Sequence, residues 1–213
     1  MTEPTRNKGW TVTFAGMGIN LALGVLYAWS VVRAGITAEV EAGAWTWAEA
    51  SLNDPYAVAV LVFAFVMIPA GRMLDKWGPR LTSSLGGLLV GVGFVVASLS
   101  SSLAVWILGF GVLAGAGIGL SYAAATPAAV KWFPPSKTGL IAGLVVAGFG
   151  LASAYIAPLA SFLLTDVGIS RTMLYLGIAF LVVVVLLSQA LKNPPAGYTP
   201  PAAKAIPGRA PVT

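Results

Sequence analysis

The chain contains no cysteine and no histidine, which excludes disulfides, thiolate chemistry, imidazole catalysis and nearly all transition-metal sites. Charge is scarce as well. Charged residues make up 9% of 213 positions and apolar residues 58%, so a water-facing surface of ordinary extent cannot be assembled, and the composition is that of a bilayer protein. No Asp, Glu, Lys or Arg lies deep within a long apolar run, so the intramembrane ionisable group that usually marks a coupling-ion site is missing. No nucleophile-base pair or paired carboxylates can be placed in those runs either, and no enzyme is expected. No residue set calls for a cofactor or a metal.

What the chain does have is apolar length. A helix needs about 20 apolar residues to cross a hydrocarbon core roughly 30 Å thick, and six runs qualify, near 10–32, 56–73, 81–100, 103–130, 139–164 and 172–191. The first run follows Arg6 and Lys8 and so invites reading as a signal peptide, but it is longer than the 7–15 residues of a signal h-region. Six crossings return the C-terminus to its starting side. With the N-terminus inside, Arg6, Lys8, Arg72, Lys76, Arg80, Lys131, Lys137, Lys192, Lys204 and Arg209 are cytoplasmic and only Arg33 and Arg171 are outside, ten against two. The net charge of +5 then reflects topology, and nucleic acid is not an expected partner. The expectation is a multi-pass integral membrane protein in a bacterial or archaeal inner membrane, both termini cytoplasmic. Residues 1–9 form a cytoplasmic N-terminus, 10–191 the transmembrane bundle and 192–213 a flexible tail rich in proline. Trp10, Trp77 and Trp132 fall at inner helix ends and Trp29, Trp45, Trp47 and Trp106 at outer ones, as interfacial anchors would.

The second half of the chain echoes the first. Gly24-Val25-Leu26-Tyr27-Ala28 corresponds to Gly119-Leu120-Ser121-Tyr122-Ala123 at an offset of 95 residues, and Asp75 and Arg80 correspond to Asp166 and Arg171 at an offset of 91. A chance match is the competing account in so Gly- and Ala-rich a chain. If the repeat is real, units of about 10–100 and 103–191 each hold three spans, and an odd number inserts them in opposite senses, an inverted 3+3 repeat. Gly87 and Gly91, Gly111, Gly115 and Gly119, and Gly139 and Gly143 have the spacing of close helix contacts, with helix motion a further hypothesis. Pro127 and Pro158 should bend their helices. Residues 109–114 match a dinucleotide-binding pattern, but no strand precedes them and they lie in an apolar span, so that reading is rejected.

The most informative stretch is Gly71 to Arg80, ten residues rich in charged and turn-forming types between two apolar runs. It is expected to be a cytoplasmic hairpin. Gly71 would permit close helix approach, Gly78-Pro79 would make the turn, Asp75 would suit the positive end of the next helix, and Arg72, Lys76 and Arg80 would hold the loop inside. The stretch resembles the signature loop of the major facilitator superfamily of secondary transporters. Further fragments are similar to one branch, the oxalate/formate antiporter and monocarboxylate transporter group: Tyr27-Ala28-Trp29-Ser30-Val31, Pro55-Tyr56, Phe63 to Gly71, Gly115 to Gly119 with Tyr122, Lys131-Trp132-Phe133-Pro134, and Asn193 to Tyr198.

The resemblance implies an all-α membrane fold of two six-helix halves moving a small organic anion such as oxalate, formate or lactate by alternating access. This chain resembles the N-terminal half, ending in what looks like the inter-half linker. It would then work with a second six-helix half, on a separate chain or as a homodimer, or be a truncated or split module that pairs without transporting. The basic residues binding the carboxylate would lie mainly in the other half. The loop residues Gly71, Asp75, Gly78 and Arg80 would form a conformational gate.

Tyr27 and Tyr122 are the leading candidates for substrate contact. They lie past the middles of their helices in opposite senses, by about 7 to 9 Å each, and a phenol can donate to a carboxylate while its ring meets the aliphatic part of a small acid. A buried tyrosine satisfied by a neighbouring helix is the alternative. Phe149 occupies a place where the antiporter pattern can carry a tyrosine, so a hydroxyl is lost there. Trp29 could cap the cavity or anchor at the interface, and Arg33 could attract anions at the mouth or snorkel outward.

Overall fold

The computed structural model describes residues 8–200, and every regular element among them is helical. In chain order these are α1 (Gly9–Leu23), a 3₁₀ stretch (Gly24–Ala28), α2 (Trp29–Glu41), a short 3₁₀ turn (Glu49–Ser51), α3 (Asp54–Ser98), α4 (Leu103–Trp106), a π-helical stretch (Ile107–Ala114), α5 (Gly115–Val130), a second short 3₁₀ turn (Pro135–Lys137) and α6 (Thr138–Ser188). They join into four apolar helical runs long enough to cross a membrane, Gly9–Glu41, Glu49–Ser98, Leu103–Val130 and Pro135–Ser188.

Two of these runs are too long for one crossing, and a single glycine interrupts each. α3 has 45 residues and α6 has 51, whereas about 20 suffice for a bilayer. Gly78 has φ 78° and ψ 170°, and Gly168 has φ 77° and ψ 172°, a backbone region open in practice only to glycine. The chain doubles back at both. Val58, Ala59 and Phe63 meet Gly111, Gly115 and Gly119 in ascending order, while Gly93 and Gly86 meet Gly109 and Gly117 in descending order, so the two parts of α3 are antiparallel. In α6, Gly148, Ala152 and Leu164 meet Met17, Gly24 and Gly35 in ascending order, while Leu187 and Ile169 meet Gly18 and Gly35 in descending order.

The breaks lie at opposite ends of the bundle. The Gly78 end gathers Trp10, whose ring is 5.4 Å from Phe133, the Arg80 guanidinium, which donates to the Gln189 carbonyl at 2.8 Å, and Trp132, whose indole donates to the Lys192 carbonyl at 2.7 Å. A hydroxyl network backs it, with Ser121 donating to the Ser83 carbonyl at 3.0 Å and the Ser83 and Ser188 hydroxyls 2.8 Å apart. At the Gly168 end, Trp47 and Trp106 donate to the carbonyls of Ser101 and Ser100.

Several sequence expectations are corrected. The ten-residue polar hairpin shrinks to one residue, because the helix continues through Arg72-Met73-Leu74-Asp75-Lys76, all serviceable in a helix except Asp75, and resumes at Pro79, a residue suited to a first helical position. Gly71 mediates no close approach among the described residues: a Cβ there would meet none of their atoms within 4 Å, and the same holds for Gly139 and Gly143. The first helical run extends beyond 32 to Glu41, because Val32 and Ile36 keep a buried stripe. Pro127 and Pro158 sit within helical backbone, and the sequence did not foresee the 3₁₀ and π stretches. The dinucleotide-like residues 109–114 fall in the π stretch.

The tryptophans are mostly not interfacial anchors. Trp29, Trp45, Trp47, Trp106 and Trp132 are buried, whereas Trp10 and Trp77 are exposed, because the buried rings find protein acceptors or aromatic neighbours. Trp45, Trp47 and Trp106 form one cluster with centroids 5.3 to 5.7 Å apart. Residues 192–200 fold back, the Tyr198 ring lying 5.2 Å from Trp132. Arg6, Lys204, Arg209 and the prolines beyond 200 lie outside the described residues.

Candidate functional site

Tyr27 sits on the 3₁₀ stretch, where the α1 hydrogen-bond ladder ends. The last carbonyls of an α-helix lack intrahelical donors, and here the Gly24 N–H takes the Asn20 carbonyl while the Tyr155 hydroxyl of α6 donates to the Leu21 carbonyl at 3.0 Å. Gly24 is required because a Cβ would run into Ala152 and the Phe149 carbonyl, and Gly148 because a Cβ would strike the Met17 carbonyl. One helical turn below, the amide of fully buried Asn20 donates to the Val145 carbonyl at 2.9 Å, its Oδ1 left without a partner among the described residues. The first half of α6 is thereby pinned along α1, and Tyr27 is fixed beside Phe149.

Three of the expected site residues converge. Phe149 stands edge-on to Tyr27 and to Tyr122, each at 5.3 Å. Phe63 of α3 closes the group, 5.6 Å from Tyr122 and 6.5 Å from Phe149. With Val146, Ala147 and Gly150 these rings line a cavity of about 430 Å³. Phe149 is buried at its centre while Tyr27 is 60% exposed. Neither the Tyr27 nor the Tyr122 hydroxyl has a hydrogen-bond partner among the described residues. The wall therefore offers two free phenol donors and aromatic edges, and no charge.

Trp29 and Arg33 belong to a neighbouring cavity of about 640 Å³, whose wall also includes Tyr27, Thr37, Glu41 and Tyr56. Trp29 is held rigidly there. Its indole donates to Asn53 Oδ1 at 3.1 Å, and its ring lies 4.8 Å from Phe110 and stacks at 5.8 Å on Tyr56. The Arg33 guanidinium has no ion pair or hydrogen bond among the described residues.

The loop residues stay apart from both cavities. Gly78 makes the break, Arg80 reaches Gln189, and Asp75 is exposed with no partner among the described residues. It precedes the break by three residues on the earlier helix, so it does not cap the following one. Sequence reasoning missed Phe63, Tyr56, Asn20 and Tyr155 as site components. The available signal was a lone Asn at the middle of an apolar run; the aromatic residues carry none until the helices are paired.

The sequence model of the Major Facilitator Superfamily matches residues 10–212. The chain is 27% identical over 186 residues to an uncharacterized MFS-type transporter, YhjX, of Escherichia coli (strain K12), covering 87% of this chain and 45% of that protein. It is 26% identical over 188 residues to the oxalate:formate antiporter of Oxalobacter formigenes, covering 88% and 43%. It is 30% identical over 178 residues to monocarboxylate transporter 11 of Mus musculus, covering 82% and 38%. The chain thus spans less than half the length of these curated relatives.

Proposed function

We propose, because this chain belongs to the Major Facilitator Superfamily, that it is a secondary transporter of small organic anions such as oxalate, formate or lactate, or the N-terminal half of one, working by alternating access. It is an integral membrane protein of a transporter family. The observation that carries the substrate class is the uncharged aromatic chamber, where the free hydroxyls of Tyr27 and Tyr122 flank Phe149. Phenols can donate to a carboxylate while the rings meet its apolar part. The names of two relatives, an oxalate:formate antiporter and a monocarboxylate transporter, point to the same class.

In this reading α3 and α6 each supply two spans, giving six in an inverted 3+3 arrangement. Its support is the pair of matching glycine breaks at opposite ends. Lys and Arg gather near the Gly78 break, as Arg72, Lys76 and Arg80, so that end is assigned to the cytoplasm with both termini. A second six-helix bundle, on the same polypeptide or another, covers the open face and supplies the cation that this chamber lacks. Support for such a face comes from Gly139, Gly143 and Gly150 of α6, where an added Cβ would meet nothing within 4 Å. Asp75 and Arg80 act at the cytoplasmic gate.

The test is uptake of radiolabelled oxalate, formate or lactate into vesicles containing the chain alone or with a candidate second half. Counter-flow by the chain alone supports a homodimeric carrier, and activity only with the second half supports the half-transporter. The uncharged chamber wall also favours a second reading, a six-helix module that pairs with another membrane chain without moving solute; absence of uptake in both arms would favour it.

A further inference from the structure

Tyr27 lines two cavities at once, the aromatic chamber and the larger one beside it. The two differ in chemistry. The aromatic chamber is uncharged, whereas the other holds the Arg33 guanidinium, unpaired among the described residues. Its aromatic wall is already built: Trp29 is fixed by Asn53 and by its stacks on Tyr56 and Phe110, so binding orders little that is not ordered beforehand.

The charges in this cavity are arranged along one helix face. Arg33, Thr37 and Glu41 recur every four residues on α2 and so lie in a row. Glu41 is at the end of the helix, two turns and about 12 Å beyond Arg33. The attractive charge therefore lies nearer Tyr27 along the chain than the Glu41 carboxylate does. A guanidinium presents a planar fork that matches a carboxylate bidentately, and the half-buried Tyr56 ring on the cavity wall, backed by Trp29, suits a short apolar tail.

We propose that this cavity is a separate carboxylate-binding station, in which Arg33 takes the carboxylate of a small monocarboxylate against Trp29 and Tyr56, and Tyr27 forms the partition between it and the aromatic chamber. The station extends the transport reading and rests on it for its substrate class. Its binding chemistry needs only residues of this chain.

The experiment uses the full chain in phosphatidylcholine nanodiscs and measures lactate affinity by saturation-transfer NMR. Arg33→Gln is expected to weaken binding about tenfold or more, Arg33→Lys to restore part of it, and Arg171→Gln, the other arginine on that side, to change nothing. A loss with Arg33→Gln but none with Tyr122→Phe supports the station and counts against the aromatic chamber as a lactate site. A loss with both supports the two sites together. A loss with Tyr122→Phe alone, equal losses at Arg33 and Arg171, or no detectable binding by the unaltered chain overturns the station.

Discussion

The Asn20 side-chain amide donates to the Val145 carbonyl at 2.9 Å, beside the Gly148–Met17 and Gly24–Ala152 contacts of the first half of α6 with the N-terminal helical run. In lipid such an interhelical hydrogen bond contributes about 0.5–2 kcal/mol, and here it secures the helix that carries Phe149 against the helix that leads to Tyr27. Asn20→Leu should lower bundle stability by about 1 kcal/mol, read as a shifted unfolding midpoint in detergent. A variant as stable as the parent would show that packing alone holds this pair.

Glycines of the same composition should divide sharply. Gly148→Ala places a methyl against the Met17 carbonyl and should destabilise the bundle by about 1–3 kcal/mol through displaced backbone. Gly143→Ala, with open space around it, should leave stability within about 0.5 kcal/mol while weakening association with a second bundle. Thermal unfolding and co-purification measure the two effects separately.

At Gly78 and Gly168 the cost of a side chain is conformational, since no atom crowds either position. Gly78→Ala and Gly168→Ala should each cost about 1–3 kcal/mol, and the two losses should be similar because the dihedral angles agree within a few degrees. Unequal losses in the same unfolding assay would contradict the equivalence of the two turns.

Asp75→Asn should change the balance between conformations more than substrate affinity, because Asp75 is exposed near the Gly78 break and lines neither cavity. The measurement is exchange kinetics beside equilibrium binding. Unchanged kinetics with a large affinity loss would remove Asp75 from the gate.

Phe149→Tyr adds a hydroxyl between Tyr27 and Tyr122. If hydroxyl donors select the substrate, competition assays should move toward the anion with more acceptor oxygens, oxalate over lactate, by several-fold for one additional hydrogen bond of about 1 kcal/mol. No change in the ratio would mean that selection resides elsewhere.

The apolar runs and the turn at Gly78-Pro79 were legible in the sequence because each depends on length or a special residue, whereas the meeting of Tyr27 and Tyr122 at Phe149 was not, since counting from the helix middles set the two phenols to opposite sides of the midplane. The rest depends on partners far away in the chain. Whether a tryptophan anchors at an interface or joins a core depends on which carbonyl it meets, as Trp47 meets Ser101 and Trp132 meets Lys192. The 3₁₀ stretch under Tyr27 goes with the Tyr155 hydroxyl on the Leu21 carbonyl, a relationship 134 positions apart in sequence. Polar residues after Gly71 suggested a loop because charge departs from an apolar run where the bilayer ends, but a helix need not end there.

Joining two antiparallel rods through one glycine leaves no slack in the joint. Thr82, Ser83, Gly86, Gly87 and Val90 form the inward stripe of the rod that begins at Pro79, and its heading is set by the residue count from the joint. One residue inserted beside Gly78 would rotate that stripe by about 100°, turning its hydroxyls from their partners toward lipid. The joint therefore acts as an indexing pin: it fixes the phase of the second rod against the first.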